Sequence, residues 1–205
     1  MALARLGVFV SGEGTNFAAV RAATIDGEIP AEVALVVADR PCPALVRAEE
    51  WHIPRLLVDR RFVAAGEADR EIAAALSRAE ITHLVLAGYL RRLGELSLRP
   101  FEGRALNLHP SLLPSFPGLR AVERAIEHGV KVTGVTVHLV DEGIDGGPIV
   151  WQEPLPIRSG ETAESLRARL RPLEHRALIV ATRWLVEGRI RQRGRITWIE
   201  EVDEA

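Results

Sequence analysis

The stretch Leu6-Gly7-Val8-Phe9-Val10-Ser11-Gly12-Glu13-Gly14-Thr15-Asn16-Phe17 decides the fold. Its apolar opening has no polar face, a two-glycine turn follows, and from Phe17 to Ala23 the apolar residues recur at helical spacing. A strand without a polar face is one covered on both sides, as strands of parallel sheets are. The pattern repeats downstream. Val33 to Ala38, Arg55 to Val58, Ile81 to Ala87 and Ala105 to Leu108 read as strands, and Ala44 to Trp51 and Glu67 to Ala79 as helices. The βαβαβαβ order predicts an α/β protein with an open, mostly parallel twisted sheet and helices on both faces.

After Pro110 the texture changes. Ser111-Leu112-Leu113-Pro114-Ser115-Phe116-Pro117-Gly118 has the proline and glycine content of an ordered loop, which can be a functional segment or an apolar connection packed on the sheet. Val132 to Val140 alternates with period two and pairs with Ile149 to Glu153 across the turn from Asp141 to Pro148. A last helix is expected from near Thr162 to its C-cap Gly188, kinked at Pro172, then a short strand from Ile196 to Ile199.

Composition bounds the function. Of the 205 residues 47% are hydrophobic and 26% charged, values that exclude a disordered or collagen-like chain. With 26 Lys+Arg against 28 Asp+Glu the net charge is −2, without the basic field that non-specific nucleic-acid binding requires, so no nucleic-acid partner is expected. All of the basic residues but Lys131 are arginine, a feature without functional weight. Cys42 is the only cysteine, which excludes an intramolecular disulfide and a cysteine zinc cluster. Met1-Ala2-Leu3-Ala4-Arg5 leads directly into the first strand, and no run approaches the ~18 apolar residues of a membrane span. A cytoplasmic protein without membrane attachment is the expectation. No repeat, low-complexity tract or linker is visible, so residues 1–205 are expected to form one domain.

Three motifs carry chemistry. Backbone N–H groups of the turn from Ser11 to Asn16, with the helix behind it, form an anion site suited to phosphate. Phe17 stands where the dinucleotide pattern Gly-x-Gly-x-x-Gly needs its third glycine, so NAD is disfavoured, and no Walker A pattern exists. Asn107 and His109, two apart on a strand that Pro110 ends, share one face at its C-terminal edge, where open α/β sheets bind ligands. Asp145, in Asp141-Glu142-Gly143-Ile144-Asp145-Gly146-Gly147-Pro148, would be a plain turn former in isolation. Paired with His109, its carboxylate would raise the imidazole pKa and keep it protonated. His138, on one strand face with Thr136, is expected beside this site; His52, His83 and His128 are scattered singly and suit surface or structural roles. Metal-ligand spacing and the Gly-x-Ser-x-Gly elbow are both absent, so no metal and no serine hydrolase is expected. Glu174, by its position alone, is a solvated helix charge.

In this order and spacing the glycine turn, Asn107-x-His109-Pro110-Ser111-Leu112-Leu113-Pro114 and Asp145-Gly146-Gly147-Pro148 resemble the folate-dependent phosphoribosylglycinamide formyltransferases, from the first strand to about Gly188. The resemblance implies a Rossmann-like formyltransferase fold, with residues 1–100 the phosphate- and nucleotide-binding half and 101–205 the catalytic and folate-binding half. It implies catalytic Asn107, His109 and Asp145. It places the substrate phosphate on Gly12, Gly14, Thr15 and Asn16 and a ribonucleotide contact on Glu174. The folate co-substrate, 10-formyltetrahydrofolate, is implied to meet Leu90, Arg91, Arg92, Leu93 and Asn107 and the loop residues Asp141, Glu142, Gly143 and Ile144. Partners would be small molecules, glycinamide ribonucleotide and the formyl folate, on a monomer or homodimer. Where members often carry histidines after the Pro-Gly, this chain has Arg120 and Val122. A formyl-proximal arginine of some members aligns with Ala65, for which Arg60 or Arg61 is the substitute considered. The alternative is the core of another 10-formyltetrahydrofolate-dependent transferase or hydrolase, against which the length of the chain argues.

Overall fold

The structure, a computed structural model, describes residues 3–201; Met1 and Ala2, expected to lead into the first strand, lie outside that range. Elements follow in the order β1 (Ala4–Val10), α1 (Thr15–Ile25), β2 (Ala31–Ala38), α2 (Pro43–Glu50), β3 (Arg55–Leu57), α3 (Ala65–Arg78) and β4 (His83–Leu86). Next come α4 (Glu95–Leu98), a 3-10 turn at Arg99–Phe101, β5 (Ala105–His109), α5 (Ala121–Glu127), β6 (Val132–Leu139) and β7 (Ile149–Pro156). The last are α6 (Ala163–Val186), β8 (Ile190–Arg193) and β9 (Ile196–Ile199).

Seven strands form one sheet in the order β3-β2-β1-β4-β5-β6-β7, parallel from β3 to β5 and antiparallel for β6 and β7. Both faces are covered. On one, Phe17 and Val20 of α1, Ala44 of α2 and Leu166, Leu170 and Leu178 of α6 pack on Val8, Val36, Val85 and Leu106. On the other, Ala68, Ile72 and Leu76 of α3 with Leu98 and Phe101 pack on Phe9, Val37, Leu84 and Leu86. Burying both faces is why these strands read as continuous apolar runs. The order of strands reverses between β1 and β4, and such a switch point opens a crevice at the C-terminal strand ends.

Differences from the sequence reading have local causes. The strand expected from Ile81 begins at His83, because the Ile81 N–H donates to the Leu76 carbonyl and closes the exit of α3. The strand expected to end at Glu153 runs on to Pro156; β7 is a sheet edge, where prolines Pro154 and Pro156 interrupt no ladder on the open side. Two short helices, α4 and α5, and strand β8 were not anticipated, being too short or too polar to carry a period. Helix α6 runs through Pro172 as one element; Thr162 caps it by accepting from the Ser165 N–H, and Gly188 follows its end with φ 65°. Among the described residues no helix is long and apolar enough to cross a membrane.

Candidate active site

The chemistry-bearing residues meet at the C-terminal end of β5, beside the crevice that opens between β1 and β4. Asn107 and His109 end β5; opposite them on β6 stand His138 and Thr136, in register Asn107 to His138 and His109 to Thr136. Asp145 comes from the turn between β6 and β7, with φ 49°, a left-handed conformation that aspartate tolerates better than most residues. Its Oδ2 lies 3.2 Å from His109 Nδ1, and its Oδ1 accepts from Asn107 Nδ2 at 3.1 Å. The Gly118 N–H donates to Oδ2 at 2.6 Å.

Partners assign the protons. His138 Nδ1 is 2.8 Å from the Leu139 carbonyl, which can only accept, so the proton sits there and Nε2 accepts from Asn107 Nδ2 at 3.1 Å. Asn107 thus divides its two N–H groups between His138 and Asp145. His109 Nε2 faces the Phe116 carbonyl at 2.8 Å, again an acceptor, while Nδ1 faces the carboxylate. Only an imidazolium donates to both. Burial, the strongest influence on His109, opposes that charge; the Asp145 carboxylate and the Phe116 carbonyl support it, His138 and Arg124 oppose it, and the net pKa is lowered from the ordinary 6.5. The expectation that Asp145 keeps the histidine protonated is therefore corrected: the carboxylate acts in the expected direction and desolvation outweighs it. Asp145 itself is pushed up by burial but brought down to about 2 by the groups around it, among them the Gly118 N–H and the His109 imidazole. His138 Nε2, whose lone pair takes the Asn107 N–H, lies 3.6 Å from Asp145 Oδ1 and makes no hydrogen bond to it.

The proline-rich loop is both packed and part of the site. Thr136 Oγ1 donates to the Ser111 carbonyl at 2.6 Å and accepts from the Leu113 N–H at 3.1 Å, and Gln152 Nε2 donates to the Leu113 carbonyl at 2.8 Å. These bonds place Phe116 and Gly118 against His109 and Asp145. Sequence reasoning missed Thr136, Gln152, Phe116 and Gly118 in this role, because two act through backbone groups and two are ordinary residues of alternating strands.

A cleft of about 500 Å³ gathers Asn16, Leu90, Arg91, Arg92, Leu93, Asn107, His109, Asp141, Gly143, Ile144, Asp145 and Glu174 in its lining. A second, of about 1010 Å³, shares Leu90 to Leu93 and Asp141 with it and adds Glu142, Arg60, Ala65 and Gln192. Arg92 donates to the Glu142 carbonyl and joins the segment from Leu90 to Leu93 to the loop from Asp141 to Asp145. Gly12, Gly14 and Thr15 line neither cleft and stand next to Asn16 at the start of α1, whose N-terminus no side chain caps. Glu174 is not a solvated charge: it is half-buried, accepts from Asn16 Nδ2 at 3.2 Å, and burial raises its pKa. Asn16 Oδ1 is buried without a partner. Among the described residues no group of three or more His, Cys, Asp or Glu is placed to hold a metal ion.

Residues 4–182 match the formyl transferase family model. The phosphoribosylglycinamide formyltransferase of Bacillus subtilis is 39% identical over 174 residues, 84% of this chain and 89% of that protein. That of Mycobacterium tuberculosis H37Rv is 43% identical over 179 residues, 87% of this chain and 83% of that protein. The chain belongs to the phosphoribosylglycinamide formyltransferases. A crystal structure of glycinamide ribonucleotide transformylase 1 from Symbiobacterium toebii superposes with a TM-score of 0.93 at 41% identity, covering 97% of this chain and 95% of that one. Within this transformylase frame, Val122 is buried in the core under α6, and Arg120, exposed, pairs with Glu127 at 3.1 Å. Arg60 lines the same cleft as Ala65, whereas Arg61 lines neither cleft and is held by Asp59 at 2.6 Å.

Proposed function

We propose that this chain transfers the formyl group of 10-formyltetrahydrofolate to the amine of 5-phosphoribosylglycinamide, releasing tetrahydrofolate and formylglycinamide ribonucleotide, a step of purine biosynthesis. The observation that supports it most is the meeting of Asn107, His109 and Asp145 at one cleft whose lining also includes Asn16, Glu174 and Leu90 to Leu93. Residues 1–100 then serve as the phosphate-binding half and 101–205 as the catalytic and folate half of one domain.

The amine attacks the formyl carbon, the carbonyl electrons move onto the formyl oxygen, and the carbon–nitrogen bond to folate breaks as that oxygen's charge collapses. The proton leaves the amine and reaches the departing folate nitrogen through water. Asn107 gives the developing oxyanion the N–H it otherwise gives Asp145, and His109 gives it the Nε2–H that otherwise faces the Phe116 carbonyl; in other enzymes one such donor is worth ~10²- to 10³-fold. Burial that opposes imidazolium in the ground state is offset when negative charge appears beside it, so the stabilisation is concentrated in the transition state. The purified chain with both substrates, followed by folate absorbance, tests the reading: glycinamide-dependent production of tetrahydrofolate is expected. Deformylation without the ribonucleotide would identify a hydrolase instead.

The glycine turn offers a sharper probe at Gly12 than at Gly14. A Cβ on Gly14 would lie 2.6 Å from that of Ala44 in α2, at φ 72°, so Gly14→Val should destabilise the fold by ~1–3 kcal/mol through overpacking. A Cβ on Gly12 meets nothing within 4 Å. Gly12→Val is expected to preserve the melting temperature and raise the KM for the ribonucleotide by about tenfold or more, the folate KM staying within about twofold, because it obstructs phosphate approach to the backbone. Equal KM values for the variant and the parent would remove the turn from phosphate binding.

A further inference from the structure

Asp39, immediately after β2, has no part in the chemistry above, yet it is buried, 1% exposed. A carboxylate is kept charged away from water only where other donors replace its hydration. Arg40 Nη2 lies 2.8 Å from its Oδ2, and Arg91 Nε 3.2 Å from the same atom. The Ser11 hydroxyl and these guanidiniums hold the carboxyl below its ordinary range against the opposing effect of burial. Ser11 Oγ in turn accepts the Leu90 N–H at 2.9 Å. The buried charge therefore holds Arg91 directly from the end of β2, while Ser11, at the end of β1, holds Leu90.

Leu90 and Arg91 open the irregular segment that lines both clefts. Its far end is tied down in the same manner. Asp69 of α3 accepts from the Leu96 and Ser97 N–H groups, each at 2.9 Å, and from Ser97 Oγ at 2.6 Å. At Gly94 a Cβ would lie 2.2 Å from the Asp69 carboxyl carbon, so the chain passes directly against it. Without helix or strand bonds of its own, the segment is held by these two carboxylates together with Ser11 and the Glu142 carbonyl.

We propose that Asp39 is a positioning residue for the folate side of the reaction, holding Leu90 to Leu93 in the conformation that receives 10-formyltetrahydrofolate. This rests on the reading of that segment as the folate contact. Asp39→Asn keeps the shape and removes the charge that holds Arg91. It is expected to raise the KM for 10-formyltetrahydrofolate and the Kd for a non-transferring folate analogue by about tenfold, as residues acting through others do. The KM for the ribonucleotide and kcat should stay within about twofold. Ser11→Ala, which removes the acceptor for Leu90, should shift folate binding in the same direction and decides the matter if Asp39→Asn does not fold. Arg91→Gln should cost less folate affinity in the Asp39→Asn background than in the parent, since the two changes break one link. Unchanged folate affinity in the variant that folds, an equal rise for both substrates, or strict additivity with Arg91→Gln overturns the proposal. The analogue is measured without ribonucleotide, so a parent chain that binds it but transfers no formyl group would sink the proposed reaction and leave the Asp39 test standing.

Discussion

Replacing His109 with alanine is expected to reduce turnover by ~10²- to 10³-fold while the Kd for a folate analogue changes by less than about twofold. The asymmetry follows from where the imidazole sits. It is 5% exposed and fixed between the Asp145 carboxylate and the Phe116 carbonyl. In the ground state its preferred hydrogen-bonding form, the imidazolium, is penalised by burial, so it contributes little to binding neutral groups. A developing oxyanion changes that balance, and the contribution is lost with the ring. Steady-state kinetics with analogue binding and a melting curve check this; near-normal turnover in a folded variant would remove His109 from the mechanism.

Asp145→Asn should be nearly as costly, ~10²-fold in turnover, and should also move the pH profile. The sign follows from the groups around His109. Burial already sets its pKa below 6.5, and the Asp145 carboxylate is the strongest influence opposing that shift. Deleting the charge lowers the pKa further, so if turnover needs the imidazolium, the basic limb moves to lower pH. Asp145, at about 2, stays ionised throughout the working range and adds no limb of its own there. The acidic limb belongs to the substrate amine, which must be unprotonated to attack, and should move much less. Stability supplies an independent readout. A carboxyl depressed from 3.8 to about 2 on folding contributes stability that is present above about pH 4 and lost as pH falls toward 2. The variant should therefore melt below the parent at neutral pH, with the gap closing in acid. A scaled-down rate with an unmoved basic limb would mean that Asp145 positions the imidazole or a water and does not tune its charge.

How far the site could be read in advance varied with how local its causes were. Asn107 and His109 share a face because strand geometry alternates side chains, and Pro110 ends the strand behind them; both facts lie within four residues. The turn at Gly12 and Gly14 was legible for the same reason. His138 could be suspected from its strand face, but its pairing with Asn107 depends on the register of β5 with β6. Glu174 carries no local signal, and its contact with Asn16 joins residues of two helices that lie 158 positions apart in the chain. Asp39 reads as an ordinary charge at a strand end.

The sequence by itself determined the layered architecture, since apolar runs of strand length between helical stripes can bury both faces only as a helix-covered parallel sheet, and it determined which polar residues stand at the strand ends. Only the tertiary structure decided what those residues are chemically. The 3.2 Å between His109 and Asp145, the division of the Asn107 amide between two partners, and the net lowering of the His109 pKa depend on which segments exclude water from one another. Periodicity records which face of an element is buried. The dielectric surroundings of a single imidazole or carboxylate are set by residues distant along the chain, and these come together only when the sheet and its loops have closed.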